Sequence, residues 1–160
     1  MIDETGLKIL SILQDKARIP NVEVARQVGM APSAVLERIR KLEKAGIIDG
    51  YEVRLNPEQF NRRLMAFVHV RTDRQPDLAS VGESLSAVPE VQEVHFIAGE
   101  DGYLVKVRVA DTGELQDLLE KKILSLPAVR SIRTNIVMTT LKETYRIPLG
   151  DIDADPTDIK

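Results

Sequence analysis

The sequence predicts an α+β protein: an N-terminal helix-turn-helix domain of winged-helix-like type, then a ferredoxin-like βαββαβ domain. Three observations predict it. Residues Asn21–Ile48 (NVEVARQVGMAPSAVLERIRKLEKAGII) carry two helical apolar stripes around a tight turn at Gly29-Met30-Ala31. From Leu64 onward, β-rich runs of period two alternate with two helical segments. A weak internal repeat punctuates that second half. Leu85-Ser86-Ala87-Val88-Pro89-Glu90-Val91 and Leu124-Ser125-Leu126-Pro127-Ala128-Val129 each give a helix end, a proline stop and the start of a β-rich run.

The first helix follows Asp3, whose carboxylate suits an N-cap, and shows Leu7, Ile9, Leu10 and Leu13 on one stripe with Ile12 beside them. It must stop before Pro20. Asn21 is expected to cap the second helix, with Val24, Ala25 and Val28 facing inward, and Gly29 supplies the positive φ that ends it. Pro32 suits the first turn of the third helix, which buries Val35, Ile39 and Leu42 and stops at Gly46. In this motif the third helix enters a DNA major groove. The bland alternative is a three-helix packing unit without a nucleic-acid role.

Residues 51–63 read as a linker in which Tyr51–Leu55 forms one short strand and Asn56-Pro57 breaks it. Beyond it the expected order is strand Leu64–Thr72, helix Asp77–Ala87, strand Val91–Ala98, strand Gly102–Val109, helix Thr112–Ser125 and strand Val129–Leu141. Alternation places Ala66, Val68, Val70, Val94, Phe96, Val105, Val107, Ile132, Ile136 and Met138 against the helices. The opposite face then shows Phe67, His69, Arg71, His95, Ile97, Lys106, Arg108, Arg133, Asn135 and Val137. That face is too apolar to stay bare and too charged for a deep core. It implies a second copy stacked across a two-fold axis, the alternative being a solvated face shielded by long side chains. The domain limits are therefore 1–50, 51–63 for the linker, 64–149, and an acidic tail at 150–160.

Composition narrows the function. The chain has 160 residues, 43% hydrophobic, enough for one sizeable core or two small ones. It contains no cysteine, which excludes disulfides, thiolate metal sites and cysteine nucleophiles. No apolar run reaches the roughly 18 residues of a membrane span, and the start Met1-Ile2-Asp3-Glu4 is acidic at once. A soluble, cytoplasmic protein without membrane contact is expected. The net charge of −3 hides an asymmetry. Within Asn21–Ile48 the bases Arg26, Arg38, Arg40, Lys41 and Lys44 outnumber Glu23, Glu37 and Glu43, while the tail carries Asp151, Asp153, Asp155 and Asp158.

The segments MAPSAVLERIRKLEKAGIIDGY and VRLNPEQF, then a βαββαβ domain with the loop AGEDGYLVKVRV, resemble the Lrp/AsnC (feast/famine) transcriptional regulators over the chain up to about Pro148. The resemblance implies a sequence-specific regulator of double-stranded DNA with a C-terminal RAM domain that binds an amino acid or related metabolite. It also implies homodimers assembling into tetramers or octamers. The candidate DNA contacts are Asn21, Ser33, Ala34, Glu37, Arg38 and Lys41. Ser33 sits near the helix start, where a hydroxyl and free N–H groups suit a phosphate. Glu37, Arg38 and Lys41 are expected on the outward face, Arg38 reading a guanine edge and Lys41 meeting the backbone. Ala31 stands where the family often has a serine or threonine cap, a loss worth about 1 kcal/mol.

The candidate effector residues are Gly99, Glu100, Asp101, Gly102 and Tyr103 in the loop, with Thr134, Asn135 and Val137 on the last strand. The resemblance implies an aspartate where this chain has Gly102, with Asp101 one place earlier, so leucine in particular gains no support as effector. The plain alternative is a hairpin whose glycines only serve turn geometry. Siroheme decarboxylases share the architecture, but they carry a histidine-asparagine-tyrosine segment and tryptophan-bearing strands. This chain has no Trp and no such segment. His69 and His95 fall on strands separated by a third, roughly 10 Å apart, too far to share one metal. No catalytic set, metal site or cofactor is expected. The remaining alternative is a RAM-type module whose helix-turn-helix does not bind DNA.

Overall fold

The computed structural model describes residues 2–72, 78–99 and 102–150. Its contacts divide the chain into two units: residues up to Arg54 together with those from Glu143 on, and Leu55–Lys142.

The helical unit holds α1 (Glu4–Asp15), α2 (Asn21–Val28) and α3 (Pro32–Lys44). Asp3 caps α1 as expected, its Oδ1 accepting the Gly6 N–H at 2.8 Å. Asn21 does not cap α2. Pro20 takes the N-cap position in an extended conformation that its ring favours, so the helix begins one residue early and Asn21 lies inside the first turn. Gly29 closes α2 at φ 70°, in the left-handed region where a Cβ is costly. Pro32 opens α3 behind Ala31, which offers no side-chain capping bond. The core is one cluster: Ile9, Leu10 and Leu13 of α1, Val24 and Ala25 of α2, and Val35, Ile39 and Leu42 of α3. Each fully buried aliphatic side chain there contributes about 1.5–3 kcal/mol.

The tail returns to this unit. Gln14 clasps the backbone of Ile147 twice, donating to its carbonyl at 3.1 Å and accepting its N–H at 2.8 Å. Arg146 pairs with Asp15, Arg54 with Glu143, and Leu149 packs on the helical core. Residues 143–150 therefore belong with the helices by contact, although the sequence places them in one run with the sheet domain. Tyr51–Leu55 forms no strand, and among the described residues no strand pairs with it. A 3₁₀ turn, Pro57–Phe60, follows, capped by Asn56.

The sheet unit contains β1 (Leu64–Thr72), α4 (Leu78–Ser86), β2 (Val91–Phe96), β3 (Gly102–Val109), α5 (Thr112–Leu118) and β4 (Val129–Ile136). The four strands are antiparallel in the order β2-β3-β1-β4, the arrangement expected of a ferredoxin-like βαββαβ chain. Asp111 caps α5 through the Glu114 N–H, and Glu114 reaches back to the Ala110 N–H. A π-helical turn, Leu119–Ile123, finishes that helix and swings Ile123 into the core. Val81 and Leu85 of α4 and Leu115 and Leu118 of α5 cover Ala66, Val68, Val70, Val105 and Val107.

Two strand ends depart from expectation. β4 stops at Ile136, opposite Ala66, because β1 has only Leu64 and Met65 left to pair; a last bond runs from Val137 N–H to the Met65 carbonyl. β2 stops at Phe96. Alternation places the terminal side chains Phe96 and Ile136, and Met138 beyond, on the helix-covered face, yet they stand exposed (Phe96 63%, Met138 91%), because they lie at or past the ends of their strands. Among the described residues no helix is long and apolar enough to cross a membrane.

Candidate functional site

On α3 the buried triplet Val35, Ile39 and Leu42 fixes which side chains point away. Ser33, Glu37, Arg40, Lys41 and Lys44 are all exposed. Positions 33, 37, 40 and 44 follow a four-three-four spacing and so share one face. Glu37 and Lys41 pair at 2.7 Å, and the Lys41 ammonium holds the Glu37 carboxyl below its ordinary value. Arg40 and Lys44 make no ion pair among the described residues, so the face carries net positive charge. At its head the first-turn N–H groups lack carbonyls four residues back, and Ala31 does not cap them with a side chain. That end suits an anion.

Arg38 is placed differently from the expectation. It is half-buried on the flank of α3, turned toward the start of α1. Its Nη1 donates to both Asp3 oxygens, at 2.8 and 2.7 Å. The Arg38 hydrogen bond, then the Gly6 N–H, lower the Asp3 carboxyl below its usual value. Ala34 and Asn21 are likewise half-buried rather than outward. Arg40 and Lys44, not among the candidate DNA contacts named from the sequence, share this exposed face with Ser33 and Glu37.

The sheet loop lies between β2 and β3. Gly99 and Gly102 take φ values of 141° and 91°, conformations open to glycine. Ile97 N–H donates to the Gly102 carbonyl at 2.8 Å and closes the turn. A Cβ on Gly102 would lie 3.0 Å from Thr72 Oγ1, so glycine also permits a close approach to the end of β1. Glu100 and Asp101 lie outside the described residues. Tyr103 is core: it is 5% exposed, beneath α4, where the missing side chain of Gly82 makes room for its ring. Phe96 meets it edge-on, with ring centroids 5.4 Å apart.

Among the described candidate effector residues, Gly102 and Asn135 are not brought together within one chain. Gly102 pairs with Arg71 near the end of β1, whereas Asn135 pairs with Phe67 near its beginning, and β3 and β4 flank β1 on opposite sides. The separation is roughly 13 Å along the strands and about 10 Å across them. Thr134, opposite Val68, belongs to the helix side of β4, while Asn135 is exposed on the open side. Arg71, not singled out as an effector residue, is an exposed cation directly across from the loop.

The open sheet face holds a charged cluster among apolar side chains. Lys106 is only 6% exposed and donates to Glu93 at 2.9 Å. Glu93 also meets His95 Nε2 at 3.1 Å. The Lys106 ammonium, then His95, draw the Glu93 carboxyl below its ordinary value. His69 and His95 both pair with Leu104, one from each side, which puts the third strand between them.

Residues 2–49 match the family model for a winged helix-turn-helix DNA-binding domain, and residues 65–147 match that for the Lrp/AsnC ligand binding domain. The chain is 39% identical over 145 residues to the leucine-responsive regulatory protein of Haemophilus influenzae, covering 89% of this chain and 87% of that one. Among solved structures, it resembles a Neisseria meningitidis transcriptional regulator in complex with L-methionine. The TM-score is 0.89 and the identity 32%, over 93% of this chain and 97% of the other. It also resembles the feast or famine regulatory protein from M. tuberculosis complexed with L-methionine, with a TM-score of 0.84 and 32% identity, over 92% and 99% of the two chains. A DNA-binding helical unit joined to a ligand-binding sheet unit makes the protein a ligand-responsive transcriptional regulator, and the chain belongs to the Lrp/AsnC family.

Proposed function

We propose that α3 engages DNA through Ser33, Glu37, Arg40, Lys41 and Lys44, and that a free amino acid is the effector. The observation that carries the DNA half is the exposed, net-positive face of α3 opposite Val35, Ile39 and Leu42. Ser33 and the uncapped first turn meet a phosphate, Arg40, Lys41 and Lys44 follow the backbone, and Glu37 is the acceptor suited to a cytosine amino group.

The effector half rests on the sheet loop. An amino acid brings an ammonium and a carboxylate, each of which needs a partner once out of water. Glu100 or Asp101 meets the ammonium; Arg71 and loop N–H groups meet the carboxylate. Asn135 and Val137 reach the same ligand only from a second copy of the chain. Such a copy also covers the open sheet face with its buried Lys106–Glu93 pair and makes the working unit a homodimer or larger assembly. The L-methionine held by two similar structures supports the ligand class. The protein acts in the cytoplasm, where its DNA is, and needs no cofactor.

A thermal-shift screen of the twenty amino acids tests the effector, since a ligand that binds only the folded state raises its stability. One or a few amino acids are expected to raise Tm, and Asp101→Ala to remove the shift without altering DNA affinity in the absence of effector. A flat screen, or an Asp101→Ala variant that responds as the parent does, sinks the loop assignment. A gel shift on the chain's own promoter region tests the DNA half.

A further inference from the structure

The α1–α3 contact is built on apolar side chains, with an ion pair at its edge. Ile9, Leu10 and Leu13 pack with Val35, Ile39 and Leu42, and such burial is non-directional. It selects which face of α3 points outward, but being non-directional it leaves the fine adjustment of roll about the helix axis to a directional contact. Asp3 with Arg38 is a directional tie. One carboxylate serves two helices: Oδ1 accepts the Gly6 N–H that starts α1, and both oxygens accept from Arg38 Nη1 on α3. Arg38 leaves the helix on the flank beside the outward face that carries Glu37 and Lys41. A change of roll would swing that face relative to any base edge it meets, and recognition tolerates only about 10–20° of such error.

We propose that Asp3 is a positioning residue for DNA recognition: through Arg38 it sets the roll of α3, and with it sequence discrimination, while neither side chain touches a base. This rests on the reading of α3 as the DNA-binding helix. Arg38 is then a strut and not the guanine reader its position on the helix first suggested. The lowered carboxyl of Asp3 agrees with a shared, charged acceptor.

A double-mutant cycle on the full chain tests it. The variants are Asp3→Asn, Arg38→Gln and the pair. Asparagine keeps the cap of α1, since it caps about as well as aspartate, and Asp3→Ser serves as a second cap-preserving variant should Asp3→Asn melt early. Binding is measured to promoter DNA and to random-sequence DNA across a salt series. The expected result is that each single variant lowers the specific-to-random ratio by roughly tenfold, the worth of about one base contact, and that the double loses no more than either single. The salt slope should move by much less than the ~0.9 of one lost phosphate contact. If Arg38→Gln loses discrimination while Asp3→Asn binds as well as or tighter than the parent, Arg38 reads DNA itself and the inference is overturned. Variants indistinguishable from the parent overturn it too. A parent that binds no DNA removes the DNA reading and this inference together, an outcome separate from the other two.

Discussion

The two units handle charge in opposite ways. In the helical unit the buried residues are apolar apart from Gly6, and the ionic contacts, Lys8–Glu4, Arg26–Glu23 and Glu37–Lys41 among them, lie in water. In the sheet unit a lysine that is 6% exposed sits on the face without helices, held by Glu93. A solvated charge contributes little to stability and remains available to a ligand, whereas a desolvated one is costly unless paired. The contrast separates two kinds of surface. The α3 face carries exposed cations, as suits a polyanion; the open sheet face presents a fixed ion pair beside Phe67, Leu104 and His69, a texture suited to another protein surface.

The separate cores give the largest test of this contrast. Ile9 is fully buried among the helices, and Ile9→Ala should cost about 2–5 kcal/mol and abolish DNA binding. Peptide-level hydrogen exchange should show faster exchange in residues 4–44 and unchanged protection in β1 and β3. Loss of protection in both units together would mean that they unfold as one and that the contrast is only skin-deep.

Within the sheet unit, Gly82→Val should cost about 1–3 kcal/mol, because a Cβ there lies 3.0 Å from the Tyr103 hydroxyl and 3.2 Å from the ring. Urea unfolding measures it; a variant as stable as the parent would show that Tyr103 is free to move aside. Glu93→Gln should have a smaller effect, about 1 kcal/mol, with a definite pH dependence. The folded-state carboxyl of Glu93 is lowered from 4.5 by Lys106, so its contribution is fully present above that value and is lost as pH falls through the lowered one. Parent and variant should therefore converge in acid, and a gap that persists at pH 2 would contradict the pairing.

Smallest is Glu23→Gln on the helical unit. Glu23 is drawn down to about 2 by Arg26 and then Gln27, but it is solvated, so the variant should melt close to the parent at pH 7. What difference there is should fade between pH 4.5 and 2. A large loss at pH 7 would mean that surface charge matters more to the helical unit than its solvation suggests.

The helices and strands were legible in the sequence because their signals are local. Asp3, Gly29, Pro32 and the 35–39–42 stripe each act within one or two turns, and β1 and β3 are continuous β-rich runs, so their limits fall where expected. What failed depended on distant partners. Tyr51–Leu55 has strand-forming residues but no strand beside it, and β4 ends where β1 runs out of residues. Arg38 has the spacing of a near-surface residue, and only the fold brings Asp3, thirty-five positions away, to meet it. The effector site was the least legible part. Of the candidate effector residues, Gly102 and Asn135 lie on strands that flank β1 on opposite sides, a separation that sequence order does not reveal.

On the proposed reading, the exposed cations of α3, and not Arg38, make the charge contacts to DNA. The most direct test is the salt dependence of promoter binding by fluorescence anisotropy for Arg40→Ala, Lys44→Ala and Arg38→Gln. The account predicts that each of the first two lowers the slope of log K against log salt by about 0.9, one phosphate contact each, and that Arg38→Gln leaves the slope nearly unchanged. A slope that falls for Arg38→Gln while Arg40→Ala and Lys44→Ala bind as the parent does would contradict it.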